Sequence, residues 1–229
     1  RLHRCASHLA RMVTLPSAGS LVRLPAAAPP AMAGLALAPL PDELPASRAE
    51  VQAVSTLVPG TEALLGEAAS ESAVRAAAGG LRLLHVASHG SMNAASPLSS
   101  HIDLGRGTGG GTDDGHLEAR EAATLGLHGA LVYLSGCETG LGPAWSSRYA
   151  TGEDAATLAQ AFLMGGASGV VGTLWRVDDA GAAAMSRAFY ARFGRGTPAA
   201  ALAVAQREML ERPNPADPRI WAGYIVAGR

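Results

Sequence analysis

Three short apolar runs constrain this chain more than any other feature: Leu81 to Ser88 (LRLLHVAS), Ala130 to Ser135 (ALVYLS) and Val170 to Trp175 (VVGTLW). Runs of this length without polar alternation read as strands buried on both faces, the habit of parallel sheets. Segments with helical spacing separate them. Ser47 with Glu50 reads as a capping box that opens a helix carrying Val51, Val54 and Val58, stopped by Pro59-Gly60. Ser70 caps a second helix ending at Gly79-Gly80. Thr151 opens a third, with Leu158, Ala161 and Phe162 on one face, closed by Gly165-Gly166. Met185, Phe189 and Phe193 line a fourth that Gly194 ends, and a core stripe is their reading. Thr197-Pro198 starts a fifth with Leu202, Ala205 and Met209 inward. A last strand is expected within 220–226. Apolar strands alternating with helices imply an α/β class: a three-layer α/β/α fold with a mostly parallel central sheet.

The first 32 residues are poorly patterned and read as a segment within or leading into the domain, which occupies 33–229. Val13 to Leu24 suits one or two short strands, and Leu35 to Leu37 another. Prolines from Pro25 to Pro30 and at 39, 41 and 45 read as loop. Residues 105–115 (GRGTGGGTDDG) read as a flexible surface loop suited to joining a hairpin. No internal repeat is visible.

Composition excludes several functions. With 229 residues, 48% of them hydrophobic, the chain can bury a core. A formal net charge of -1 without long runs of one sign argues against nucleic-acid binding. All 18 basic residues are arginine, so a P-loop lysine, a Schiff-base lysine and a Ser-Lys dyad are ruled out. Two cysteines, Cys5 and Cys137, are too few for a disulfide-stapled fold and point to a reducing cytoplasm. No apolar stretch is long enough for a membrane span, and no signal peptide is visible. The chain begins at Arg1, which reads as part of a longer protein from which a regulatory or sensor region is missing.

Two of the apolar strands run into reactive groups. The first leads to Ser88-His89-Gly90, the second to Ser135-Gly136-Cys137-Glu138-Thr139-Gly140. In open α/β sheets ligands bind beyond the carboxyl ends of the strands. If these two are parallel neighbours, an imidazole and a thiol emerge on one edge. A histidine then serves a cysteine nucleophile as base and later as acid. The N–H groups of Gly90 and Cys137 are the candidate oxyanion hole. The plainer alternative is a buried small thiol and a turn histidine, and the glycine-flanked coincidence of the two weighs against it.

Leu84-His-Val-Ala-Ser-His-Gly90, Leu134-Ser-Gly-Cys-Glu-Thr-Gly140 and Gly172-Thr-Leu-Trp-Arg-Val-Asp-Asp179, in that order, resemble the CHAT domain family. These are caspase-like cysteine peptidases related to separase. Leu44 to Val51, Ala161 to Ala167, Phe189-Tyr190 and Trp221 to Gly228 extend the resemblance over about residues 33–229. The resemblance implies a caspase-like fold, His89 as general base, Cys137 as nucleophile and the Gly90 amide in the oxyanion hole. Gly136 stands where the family commonly has alanine. Asp178 and Asp179 occupy the stretch whose acidic residues help separase bind a basic P1 side chain; a helix cap is the competing role of either. Trp175 is a candidate pocket wall or a core residue. The resemblance also implies a regulated, cytoplasmic bacterial protease of defence or cell-death systems. Its partner would be a protein substrate, a neighbouring-gene product such as a gasdermin-like protein, with no nucleic acid and no membrane. A non-catalytic interaction module, and a thiol hydrolase or acyltransferase acting on small molecules, are the rivals.

No cofactor and no metal are expected. His85 and His89, four apart, lack the helix and the glutamate of a zinc motif. His116-Leu-Glu118 resembles a deaminase signature without its Pro-Cys-x-x-Cys partner. His101, His116 and His128 read as surface or turn residues. The glycines at 105–111 follow no strand and have no lysine, so they do not form a phosphate loop. Cys5 reads as an unimportant free thiol. Glu138 and Asp154 are weaker candidates for orienting substrate or loops. The Gly-rich loop and the stretch from Leu141 to Ala150 are candidate self-cleavage sites.

Overall fold

The computed structural model describes residues 33–93, 95–107, 113–135, 158–211 and 217–228. Its centre is a six-stranded sheet. In chain order the strands are β1 (Ala33–Ala38), β2 (Thr61–Leu65), β3 (Leu81–Ala87), β7 (Leu131–Ser135), β8 (Gly169–Thr173) and β9 (Tyr224–Gly228). They lie in the order β2-β1-β3-β7-β8-β9. All neighbours are parallel except β8 and β9. The three apolar runs are the adjacent central strands β3, β7 and β8, and burial on both faces is why they lack polar alternation.

The strand period of two sorts their side chains between two cores. Leu84 and Val86 of β3, Val132 and Leu134 of β7 and Val170 of β8 enter one core. Leu83 and Ala87, Leu131 and Tyr133, and Val171 enter the other. Helices α2 (Glu71–Ala77), α3 (Ala119–Ala122) and α4 (Leu158–Met164) cover the first face. Helices α1 (Pro45–Leu57), α5 (Asp179–Tyr190), α6 (Pro198–Leu210) and α7 (Pro218–Trp221) cover the second. This is the expected α/β/α sandwich with a mostly parallel sheet. Met185 and Phe189 of α5 and Leu202, Ala205 and Met209 of α6 are buried, as their spacing predicts. Each fully buried large side chain stabilises by about 1.5–3 kcal/mol.

A second, three-stranded antiparallel sheet follows β3. It comprises β4 (Gly90–Ser91), β5 (His101–Asp103) and β6 (His116–Glu118). The stretch 105–115 therefore joins the two strands of a hairpin, as the sequence suggests. The turn half of the histidine reading is corrected here: His101 and His116 are strand residues of this sheet, and His116 is exposed on its surface, as the other half of that reading has it.

Several local signals act as read. Ser70 caps α2, its Oγ accepting Ala73 N–H at 3.4 Å, and Thr197 caps α6 through Ala200 N–H at 3.2 Å. The capping box at Ser47 and Glu50 is overturned. Helix α1 begins three residues earlier, with Leu44 as its N-cap and Pro45 at its first position, where the missing N–H costs nothing. Ser47 Oγ donates to Leu44 O at 2.6 Å, and Glu50 turns into the core. Strand β2 is not evident in the sequence, because TEALL has neither alternation nor β-branched residues beyond Thr61. The expected strands within 13–24 and the opening of a helix at Thr151 lie outside the described residues.

Candidate active site

Strands β3 and β7 deliver their carboxyl ends side by side. Ala87 is the register partner of Ser135, and Ser88 N–H donates to Ser135 O at 3.2 Å. His89 follows two residues after Ala87. Cys137 follows two residues after Ser135 in the sequence and lies outside the described residues, as do Cys5, Glu138 and Asp154.

His89 stands at the junction of the two sheets. Its carbonyl accepts Asp103 N–H at 3.0 Å, and Ser88 Oγ donates to Asp103 O at 2.6 Å. These bonds fix the backbone while the imidazole, 42% exposed, faces solvent. Its Nε2 lies 3.6 Å from Glu43 Oε2, an exposed carboxylate in the turn before α1 that no sequence signal marks. So exposed a pair contributes little to stability. Gly90 pairs with Ile102 while Asp103 N–H bonds to His89 O. In an antiparallel ladder this makes Gly90 and Ile102 a non-hydrogen-bonded pair, and Gly90 N–H points away from β5. An amide so oriented suits an oxyanion donor.

The next strand, β8, leads into Trp175, Asp178 and Asp179 on the same edge. Asp178 caps α5, its Oδ1 accepting Gly181 N–H at 2.9 Å. Asp179 Oδ2 accepts Ala46 N–H at 2.6 Å and ties α5 to the start of α1. Each carboxylate thus has one oxygen on a helix N-terminus, a favourable place for negative charge. Trp175 is 37% exposed, and its Nε1–H donates to Arg219 O at 2.7 Å. Its ring lies flat on Gly223, where a Cβ would stand 2.6 Å from it.

A buried polar network beneath this edge escapes sequence reading. His85, fully buried in β3, stacks on Tyr133 with ring centroids 5.1 Å apart. Its Nδ1 lies 3.1 Å from Tyr190 Oη. Its Nε2 lies 3.2 Å from Glu50 Oε1, at ion-pair separation but without hydrogen-bond alignment. Burial pushes the Tyr133 and Tyr190 phenols well above the ordinary tyrosine range, with the Glu50 carboxylate adding to both and Tyr224 to the first. The available signal was the spacing of Glu50 and Val54, one turn apart on one helix face.

The fold defines a class, the caspase-like α/β type with a mostly parallel central sheet. A CHAT domain model matches residues 6–229, and the chain belongs to the CHAT domain family. Among solved structures it resembles the separase of the Saccharomyces cerevisiae separase-securin complex, with a TM-score of 0.61 and 16% identity over 94% of this chain and 13% of that one. It also resembles the Arg-specific cysteine proteinase gingipain R, with a TM-score of 0.59 and 10% identity over 92% of this chain and 50% of that one. The complex of Porphyromonas gingivalis gingipain pro- and mature domains gives a TM-score of 0.58 and 10% identity over 92% of this chain and 51% of that one. The chain thus spans half of the gingipain chain and about an eighth of the separase chain. No curated protein matches significantly. Among the described residues no helix is long and apolar enough to cross a membrane.

Proposed function

We propose that this chain is a cysteine endopeptidase whose catalytic dyad is His89 and Cys137. The observation that carries the reading is the register of Ala87 with Ser135, because each catalytic residue follows its strand by the same two residues. His89 accepts the thiol proton, and the thiolate attacks the scissile carbonyl carbon. The oxyanion is held by the Gly90 and Cys137 amides. As the C–N bond breaks, the imidazolium returns its proton to the leaving amine. Water, deprotonated by His89, then attacks the thioester. The C–S bond breaks, releasing the carboxylate product and the thiol. No metal or cofactor enters these steps.

For specificity the reading is a basic P1 residue. Asp178 and Asp179 follow the strand next to β7, and each has one carboxylate oxygen beyond the one occupied by a helix amide. Gingipain R is an Arg-specific relative in fold. The setting we propose is a regulated cytoplasmic protease of bacterial defence or cell death, acting on a protein substrate and controlled by a region outside this sequence. Wild type and Cys137→Ala, each offered a mixed peptide library read by mass spectrometry, test this. Cutting by wild type alone, with arginine at P1, supports it in full. Cutting after leucine keeps the dyad and removes the pocket. Silence of the full-length protein with its genomic neighbours as substrates favours the interaction module.

A further inference from the structure

We propose that His101, Asp103 and His116 form a binding site for a transition-metal ion of the zinc class, held by three protein ligands with further positions left to solvent. The small sheet builds the arrangement. His101 and Asp103 are two apart on β5 and share a face, and His116 on β6 is the register partner of Asp103. Asp103 Oδ1 lies 3.4 Å from His101 Nε2 and 3.2 Å from His116 Nδ1, and the three candidate ligand atoms fall within 4.8 Å of one another. An ion with bonds of about 2.0–2.1 Å holds tetrahedral ligand atoms roughly 3.4 Å apart. The two spacings from Asp103 Oδ1 lie close to that value, and an ion would take the place of the hydrogen that His116 Nδ1 shares with Asp103 Oδ1.

The surroundings also suit an ion. His101 Nδ1 lies 3.2 Å from Ser99 O. A carbonyl can only accept, so Nδ1 is the donor in that bond, which leaves Nε2 as the ring nitrogen on the side of the carboxylate. An outer hydrogen bond that fixes the tautomer is the habit of metal-bound histidine. Strand β6 is fixed in turn: Glu71 Oε1 accepts the N–H groups of Asp114, Gly115 and His116 at 3.1, 3.2 and 3.3 Å. Two imidazoles and one carboxylate select zinc, cobalt, nickel or copper over magnesium and calcium. The site is separate from the proposed dyad, though Asp103 N–H holds the His89 carbonyl.

Cobalt(II) titration of the full chain, stripped with chelator, tests the site. The titration is run in a Cys5→Ser, Cys137→Ala background, so that neither thiol can supply a competing ligand. The expected result is saturable 1:1 binding at micromolar cobalt, with visible ligand-field bands of low coordination number. Zinc displaces the ion and magnesium does not. His116→Ala and His101→Ala each weaken binding about tenfold or more, with unchanged circular dichroism. Binding that survives both substitutions, or no saturation below millimolar cobalt, overturns the proposal and leaves the three residues an ion-pair cluster. None of these readouts depends on peptidase activity.

Discussion

Ala87 of β3 and Ser135 of β7 are register partners in a parallel pair, and Ser88 N–H continues the ladder by bonding to Ser135 O at 3.2 Å. The two strands therefore end level. His89 and Cys137 follow these two ends by two residues each in the sequence. Strand β8 adds Trp175 and the Asp178-Asp179 pair on the same edge.

The Glu50–His85 pair is expected to be a stability determinant with no part in catalysis. Both side chains are almost fully buried. Removing one partner of a buried pair typically costs about 3–5 kcal/mol. His85→Ala should therefore lower the unfolding free energy by that order, more than Glu50→Gln, which keeps the shape and removes the charge. Equilibrium unfolding followed by circular dichroism measures both. A loss below about 1 kcal/mol for His85→Ala contradicts the assignment.

Stability should fall steeply on the alkaline side. The folded state holds the Tyr133 and Tyr190 phenols well above the ordinary tyrosine value, chiefly through burial. In the unfolded chain they ionise near pH 10. Above that pH the folded state binds more protons than the unfolded one, so unfolding free energy decreases as pH rises. The slope approaches about 1.4 kcal/mol per pH unit for each tyrosine. With no lysine in the chain, no ammonium side chain titrates across this window. Denaturant midpoints at pH 8 and 10.5 measure the effect, and Tyr190→Phe should flatten it by the share of one tyrosine.

Asp178 is expected to show two separable effects. As the α5 N-cap its replacement by alanine should cost about 1 kcal/mol, and asparagine should restore most of that. A P1 arginine preference, by contrast, needs the charge, so Asp178→Asn should lose it while keeping stability. Thermal denaturation beside library cleavage reads the two apart.

Gly165 tolerates no side chain. A Cβ there would lie 2.1 Å from Ala122 O, a backbone atom that cannot step aside without moving α3. Gly165→Ala should destabilise by an amount of core-overpacking size, about 1–3 kcal/mol, measurable as a lower thermal midpoint.

How much of this was legible in the sequence depends on how local the signal is. The central strands, the caps at Ser70 and Thr197 and the inward stripes of α5 and α6 follow from residue spacing, which acts over a few residues. Strand β2 escaped because an edge strand half exposed to solvent needs no continuous apolar run. Glu50 was misread because Ser47 and Glu50 fit a capping box, while its real partner His85 lies 35 positions away in another element. The His101–Asp103–His116 cluster depends likewise on hairpin register across a glycine-rich loop. For the proposed dyad the motif pair was legible, and the structure adds the parallel register of the two strands.

The central claim is that His89 activates Cys137, and the pH dependence of Cys137 alkylation tests it most directly. Wild type and His89→Ala, both carrying Cys5→Ser, would be treated with iodoacetamide between pH 5 and 10 and read by intact mass. An isolated thiol ionises near pH 8.5, and pairing with a histidine lowers this to about 3.5–7.5. The account predicts rapid wild-type alkylation at neutral pH and a shift toward pH 8.5 in His89→Ala. Superimposable profiles with an unperturbed thiol in both proteins would contradict it.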